Sequence, residues 1–263
     1  MMDEIQTYLG ADGLMHCTVC KEPVEAFYPK GSLLEMKKHH RQCACERQAY
    51  AEEAQYFKEK ERRELVVRNK KICFEEKEME GFTFQNVDRD SSAIRIAEEY
   101  VANWQKMKQN HMGYLFWGPV GTGKSYLAAC IANALLEQEV TVKMTNFNTI
   151  LNDLFAAEDK TEYIRVLNGY ELLIIDDLGV ERNSEYALEN IFSVIDWRYR
   201  SGKPLIITTN IPLVQLKQET KIEKKRIYDR ILERCVPVKI DGVSRREAMA
   251  NDNMQTMKSI LKI

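Results

Sequence analysis

The chain has 263 residues, a net charge of -2, 44% hydrophobic residues and 30% charged residues. That length fits one large domain, or a core domain with a smaller appendage, and the hydrophobic share is enough for a real core. The balanced charge excludes a whole-chain attraction to nucleic acid, so any such surface must be a local patch.

The first residues, MMDEIQTYLG, are acidic and lack the apolar run of a secretory signal. Apolar runs such as LLIID and PLIITTN are too short to span a bilayer. The expectation is a cytoplasmic protein with no membrane partner.

Residues 1–45 hold four of the seven cysteines, the pair His39–His40 and two of the six prolines. A segment this short cannot bury enough apolar area to fold alone and needs a staple or a neighbour. Cys17 and Cys20 form CTVC, and Cys43 and Cys45 form CAC. With no export signal, clustered cysteines point to a metal before disulfides. Four thiolates in two close pairs can surround Zn²⁺ tetrahedrally. CxxC is a standard half-site and CxC is less usual, so His39 or His40 stands as an alternative to one cysteine. Cys73, Cys130 and Cys235 fall in helical patterns and read as packing residues.

Residues 46–80 mix both charge signs densely. Tyr50, Ala54 and Phe57 form a narrow helical stripe that then fades. The expectation is an exposed helical linker. From residue 81 to 263 the pattern is α/β. SSAIRIAEEYVANWQKMKQN carries Ile94, Ala97, Val101 and Trp104 at helical spacing. GYLFWG, VTVKMT, LLIIDD, PLIITTN and VPVKI read as strands. LAACIANALLEQ, FNTILNDLFAAE, YALENIFSVIDWRYRSG, Lys221 to Cys235 and REAMANDNMQTMKSILKI read as helices. Strands alternating with helices predict a parallel sheet covered by helices on both faces.

Gly118, Pro119, Val120, Gly121, Thr122, Gly123, Lys124 and Ser125 spell GPVGTGKS, a P-loop, with Tyr126 inside the helix it opens. Its glycines let backbone N–H groups curl around an anion, and the new helix adds its positive end. Lys124 is expected on the β- and γ-phosphates and Ser125 on Mg²⁺. LLIIDD delivers Asp176 and Asp177 to a strand end, where open α/β sheets bind ligands. Asp176 is the expected magnesium ligand, and Asp177 the residue that orients or deprotonates the attacking water. Asn210, closing PLIITTN, is a further polar group at a strand tip.

The series GPVGTGKS, IIDDLG with NSEY, IDWRYRSGKPLIITTN, RIYDRI and GVSRR resembles the AAA+ ATPases. Within them it is most similar to the bacterial and phage helicase loaders, with the insertion-sequence transposition helpers as close relatives. The resemblance covers roughly residues 82–250 and implies ATP as the nucleotide. It implies that Arg230 acts as an arginine finger in a neighbour's site. It implies that Arg246, with Arg245 the alternative, touches ATP in its own subunit. Arg226 lies one helical turn before Arg230. It also implies a zinc-binding N-terminal module that contacts a replicative helicase, a spiral or ring of probably six copies, and contact with single-stranded DNA. Phe155, Ser184 and Tyr186 stand where similar proteins place strand-facing residues. Read from its own helix, Phe155 instead joins the apolar face of Ile150, Leu151 and Leu154. Many AAA+ motors have Glu where this chain has Asp177, which implies slow, switch-like hydrolysis. The readings in competition with a loader are a transposition helper on duplex DNA and an adaptor that binds nucleotide without hydrolysing it.

Overall fold

A computed structural model describes residues 6–34, 37–86, 92–179, 184–242, 253–258 and 260–261. The chain divides into two compact units, residues 1–65 and 66–263.

The first unit carries two small antiparallel hairpins. β1 (Thr7–Leu9) pairs with β2 (Met15–Cys17), and β3 (Glu25–Phe27) pairs with β4 (Lys38–His40). α1 (Ala44–Cys73) begins in this unit and ends in the second. Its start is capped: Glu46 accepts from the Cys43 N–H at 2.9 Å, and Glu22 accepts from the Ala44 N–H at 2.7 Å. Tyr50, Tyr56 and Phe57 are exposed on it.

The second unit contains α2 (Ser92–Ala102), α3 (Trp104–Gln109), β5 (Gly113–Trp117), α4 (Lys124–Leu136) and β6 (Val142–Asn146). Then come α5 (Phe147–Ala156), α6 (Lys160–Leu167), β7 (Leu172–Leu178) and α7 (Glu185–Ser201). β8 (Leu205–Thr209), α8 (Leu213–Lys217), α9 (Ile222–Arg234) and β9 (Cys235–Lys239) complete it. The five strands β5 to β9 form one parallel sheet in the order β6-β7-β8-β5-β9. One core cluster gathers residues of α2 and α4, and a second gathers residues of α5, α7 and α9. The sheet is therefore covered on both faces, as predicted. β8 is buried along its whole length, the mark of a central parallel strand.

Some elements depart from the expectation. The helix expected from residue 91 onward is two helices, interrupted at Asn103. The Asn103 side chain donates back to the Glu99 carbonyl at 3.0 Å, a local bond that competes with helix propagation. Cys235 opens β9 instead of lying in a helix, and its buried thiol donates to the Leu205 carbonyl at 3.2 Å. α6 and α8 are short helices that the sequence reading did not single out. Of the expected C-terminal helix, residues 253–258 are helical and exposed.

Candidate functional site

The phosphate loop follows β5 and runs into α4. Gly118 has φ of 146°, and a Cβ there would fall 2.3 Å from the Ile240 carbonyl oxygen, so only glycine fits. Gly123, with φ of 94°, precedes the first turn of α4 in a left-handed conformation. The Lys124 ammonium is buried and donates to the carbonyls of Gly118 at 3.0 Å and Pro119 at 2.7 Å. Its charge lies over the loop that would cradle phosphate.

β7 and β8 bring the other polar groups to the same edge of the sheet, because neighbouring parallel strands end together. Asp176 accepts a hydrogen bond from Thr208 Oγ1 at 2.5 Å. Burial pushes the Asp176 carboxyl above the usual carboxylate range, and the Thr208 hydroxyl and the nearby Ser125 hydroxyl oppose that shift. A divalent cation would relieve the burial of that charge, and the donor set is one hydroxyl and one carboxylate, both hard oxygens suited to Mg²⁺. Asp177 has φ of 55°, in the left-handed region that aspartate tolerates better than most residues. The Asn210 amide donates to Asp177 Oδ1 at 3.5 Å, long for a hydrogen bond. Ser125, Asp176, Asp177 and Asn210 thus gather beside the loop. Tyr126 is directed elsewhere: its hydroxyl donates to the Thr83 carbonyl at 3.1 Å, and its ring stacks on Phe82 at 4.5 Å.

Several contributors to this region carried no motif. Thr208 links the two aspartates. Asn133, buried on α4, donates to the carbonyls of Met79 at 2.8 Å and Phe82 at 3.0 Å, tying the segment before α2 to the P-loop helix. Glu75, just past α1, accepts from the hydroxyls of Thr145 at 2.7 Å and Thr149 at 2.9 Å. Only TTN offered a readable signal, two hydroxyls before an amide at a strand end.

Arg230 lies on α9 and is held in its own subunit. Its Nε donates to Asp196 at 2.8 Å, and its guanidinium stacks 4.6 Å from the Phe192 ring. Arg226 lies over the same ring at 5.2 Å, so the two arginines share a face. Arg245 and Arg246 lie outside the described residues.

Phe155 is 81% exposed, which overturns the reading that buries it with Leu154. Ile150 and Leu154 face the core, and Phe155 is turned about 100° beyond Leu154. It meets Tyr186 edge-on at 6.4 Å, and the Lys160 ammonium lies 4.7 Å over the Tyr186 ring. Ser184 caps α7 by accepting from the Ala187 N–H at 3.2 Å. Its hydroxyl therefore has a structural use.

In the first unit, the sulfurs of Cys17, Cys20, Cys43 and Cys45 all lie within 4.8 Å of one another. A tetrahedral zinc–thiolate site has sulfurs about 3.8 Å apart, given a Zn–S distance of about 2.3 Å, so the cluster fits with little closing. Backbone N–H groups of Cys45 and Glu22 lower the Cys20 thiol to about 6. Hydrogen bonding to Cys20, then burial, pushes Cys45 up to about 12. Four such groups cannot all ionise side by side without a cation among them. The two histidines are engaged elsewhere: His39 packs on Tyr28 at 4.9 Å, and His40 Nε2 lies 3.2 Å from Glu46. Among the described residues, the four cysteines are the group that could hold a metal ion.

The family model described as IstB-like ATP binding protein matches residues 48–252. The chain belongs to the IstB-like ATP-binding family. Its fold is that of an AAA+ ATPase, and the matched region contains its parallel sheet and P-loop. Its relatives include the replicative helicase loader DnaC of Escherichia coli strain K12. That protein is 28% identical over 145 residues, 53% of this chain and 57% of its own length. The replicative helicase loader DnaI of Bacillus subtilis strain 168 is 23% identical over 192 residues, 67% of this chain and 62% of its own length. The chain thus spans less than two thirds of these curated relatives. A crystal structure of DnaI superimposes with a TM-score of 0.58 at 26% identity, covering 68% of this chain and 99% of that one. A crystal structure of the DnaC helicase loader shares the fold, with a TM-score of 0.53 at 20% identity over 63% of this chain and 100% of that one. Among the described residues, no helix of this IstB-like protein is long and apolar enough to cross a membrane.

Proposed function

We propose that this chain is an ATP-dependent loader, which grips a replicative hexameric helicase through its N-terminal module and delivers it to single-stranded DNA. The observation that carries this reading is the four-cysteine cluster, present on the same chain as an ATP-binding unit similar to helicase loaders. The assigned domains are a helicase-binding zinc module at residues 1–45, a helical linker at 46–80 and an ATPase domain at 81–263. When bound, Mg²⁺ would neutralise charge on the ATP phosphates, held by Ser125 and Asp176. Lys124 turns from the loop carbonyls to the β- and γ-phosphates. Asp177 orients the attacking water and takes up its proton, with Asn210 on the other side of that water. Arg230 completes the site of the next subunit, presented there by Asp196 and Phe192. Arg246, or Arg245, contacts ATP in its own subunit. ATP then favours assembly of about six copies around the helicase, and slow hydrolysis favours release. Phe155, Tyr186 and Lys160 offer stacking and charge to single-stranded DNA, with Ser184 setting the start of α7 beside them.

The test is ATP-dependent transfer of the replicative helicase onto circular single-stranded DNA. The full chain should transfer it. Cys43→Ala, or zinc chelation, should lose helicase binding while ATP binding persists. Helicase binding that survives both treatments removes the role given to the cysteine module. The match to the IstB-like family favours a second reading, a transposition helper. Preference for long duplex over single-stranded DNA, with no helicase transfer, would establish that reading instead.

A further inference from the structure

Thr208 lies on β8, between the P-loop strand β5 and the aspartate strand β7. It is wholly buried and pairs in register with Phe116. The Asp177 backbone N–H donates to its Oγ1 at 2.9 Å, and Oγ1 donates to Asp176 Oδ1 at 2.5 Å. The direction of these bonds is forced. A backbone N–H can only donate, so the single hydroxyl proton is left for the carboxylate. The bond to Asp176 has the short length of a charge-assisted hydrogen bond.

The register of β7 against β8 shifts between Ile175 and Leu178, and Asp177 takes its positive φ within that irregularity. A side chain, not a strand carbonyl, accepts the Asp177 N–H there. One hydroxyl therefore fixes two neighbouring acids, the carboxylate of the first and the backbone of the second.

We propose that Thr208 is a positioning residue for ATP hydrolysis, committing one oxygen of Asp176 and setting the backbone turn that aims Asp177 at the phosphate site. The proposal rests on the ATPase reading above. Thr208 acts through the two acids and touches no substrate. Valine keeps the shape of threonine and loses both hydrogen bonds, whereas serine keeps both and loses a methyl group.

The experiment compares full-length wild type, Thr208→Val and Thr208→Ser in two measurements. One is steady-state ATP hydrolysis. The other is equilibrium binding of a fluorescent ATP analogue with Mg²⁺ and with EDTA. Thr208→Val should lower kcat about tenfold or more, with KM within about threefold, because the lost interactions serve the chemical step. Its gain in analogue affinity on adding Mg²⁺ should shrink, while binding in EDTA stays at the wild-type level. Thr208→Ser should stay close to wild type in both. A valine variant equal to wild type overturns the proposal, and so does a serine variant as impaired as valine, which would mark a packing role. Should the valine variant fail to fold, the serine variant decides: wild-type kcat and magnesium response support the proposal, and their loss overturns it. A wild type that binds the analogue without hydrolysing ATP overturns the ATPase reading instead, and the magnesium response still tests the hold on Asp176.

Discussion

Asp177 occupies a backbone conformation that costs most side chains about 1 kcal/mol or more. The cost is modest for aspartate and places its carboxylate beside Asn210. Asp177→Asn keeps the shape and removes the base. It should lower kcat about 100-fold or more while ATP affinity changes little, as separate hydrolysis and binding assays would reveal. Arg198 is a different kind of charged residue. It is 1% exposed and donates to the carbonyls of Tyr170, Glu171 and Pro204, stitching α7 to the starts of β7 and β8. Burial lowers it to about 9, so it still carries its charge at neutral pH. Arg198→Met removes the side-chain donor from the Tyr170 and Glu171 carbonyls, leaves Pro204 with the long 3.4 Å bond from the Leu173 N–H, and should cost about 3 kcal/mol or more in a urea denaturation curve. On the sequence, Arg198 reads as one more cation of an amphipathic helix. Nothing in RYRSGKP says that its three nitrogens meet carbonyls from two other segments.

α4 was legible because its chemistry is local. Glycines, lysine and serine at fixed spacing specify a loop that needs no distant partner to be recognised. α5 was legible as a helix, but not in the direction of its last apolar residue. Phe147, Ile150 and Leu154 fill its buried side, so Phe155 had no place there, and its exposure became visible only once the sheet defined that side. The ring of Phe155 and the ammonium of Lys160 come from the consecutive helices α5 and α6, and the ring of Tyr186 joins them from α7, across the intervening strand β7. Replacing both Phe155 and Tyr186 with alanine should weaken binding of a single-stranded oligonucleotide by about 2 kcal/mol or more, from stacking lost at two rings. Fluorescence anisotropy would measure it, and unchanged ATP affinity would separate the effect from misfolding.

At the scale of the assembly, Arg230 and Lys124 serve different subunits if the arginine acts across an interface. Each variant alone, Lys124→Ala or Arg230→Ala, should hydrolyse little ATP. Mixed together, they should recover part of the activity, because a Lys124→Ala subunit still offers Arg230 to an intact P-loop in its neighbour. Recovery that grows with protein concentration would mark an interface. Two variants that stay inactive at every ratio would place Arg230 in its own subunit's service, where the Asp196 ion pair already holds it.

The sequence by itself determined the parallel α/β core, the phosphate loop, the paired aspartates and the four cysteines. Each depends on residue type and short-range spacing. The tertiary structure alone decided that both histidines lie outside the cysteine cluster and that Phe155 faces outward. It also decided that Arg198 is a buried clamp and that Thr208 joins Asp176 to Asp177. These depend on which strands lie side by side and on where a ladder slips by a residue. Such choices are made by packing across the whole sheet, and no local pattern carries them.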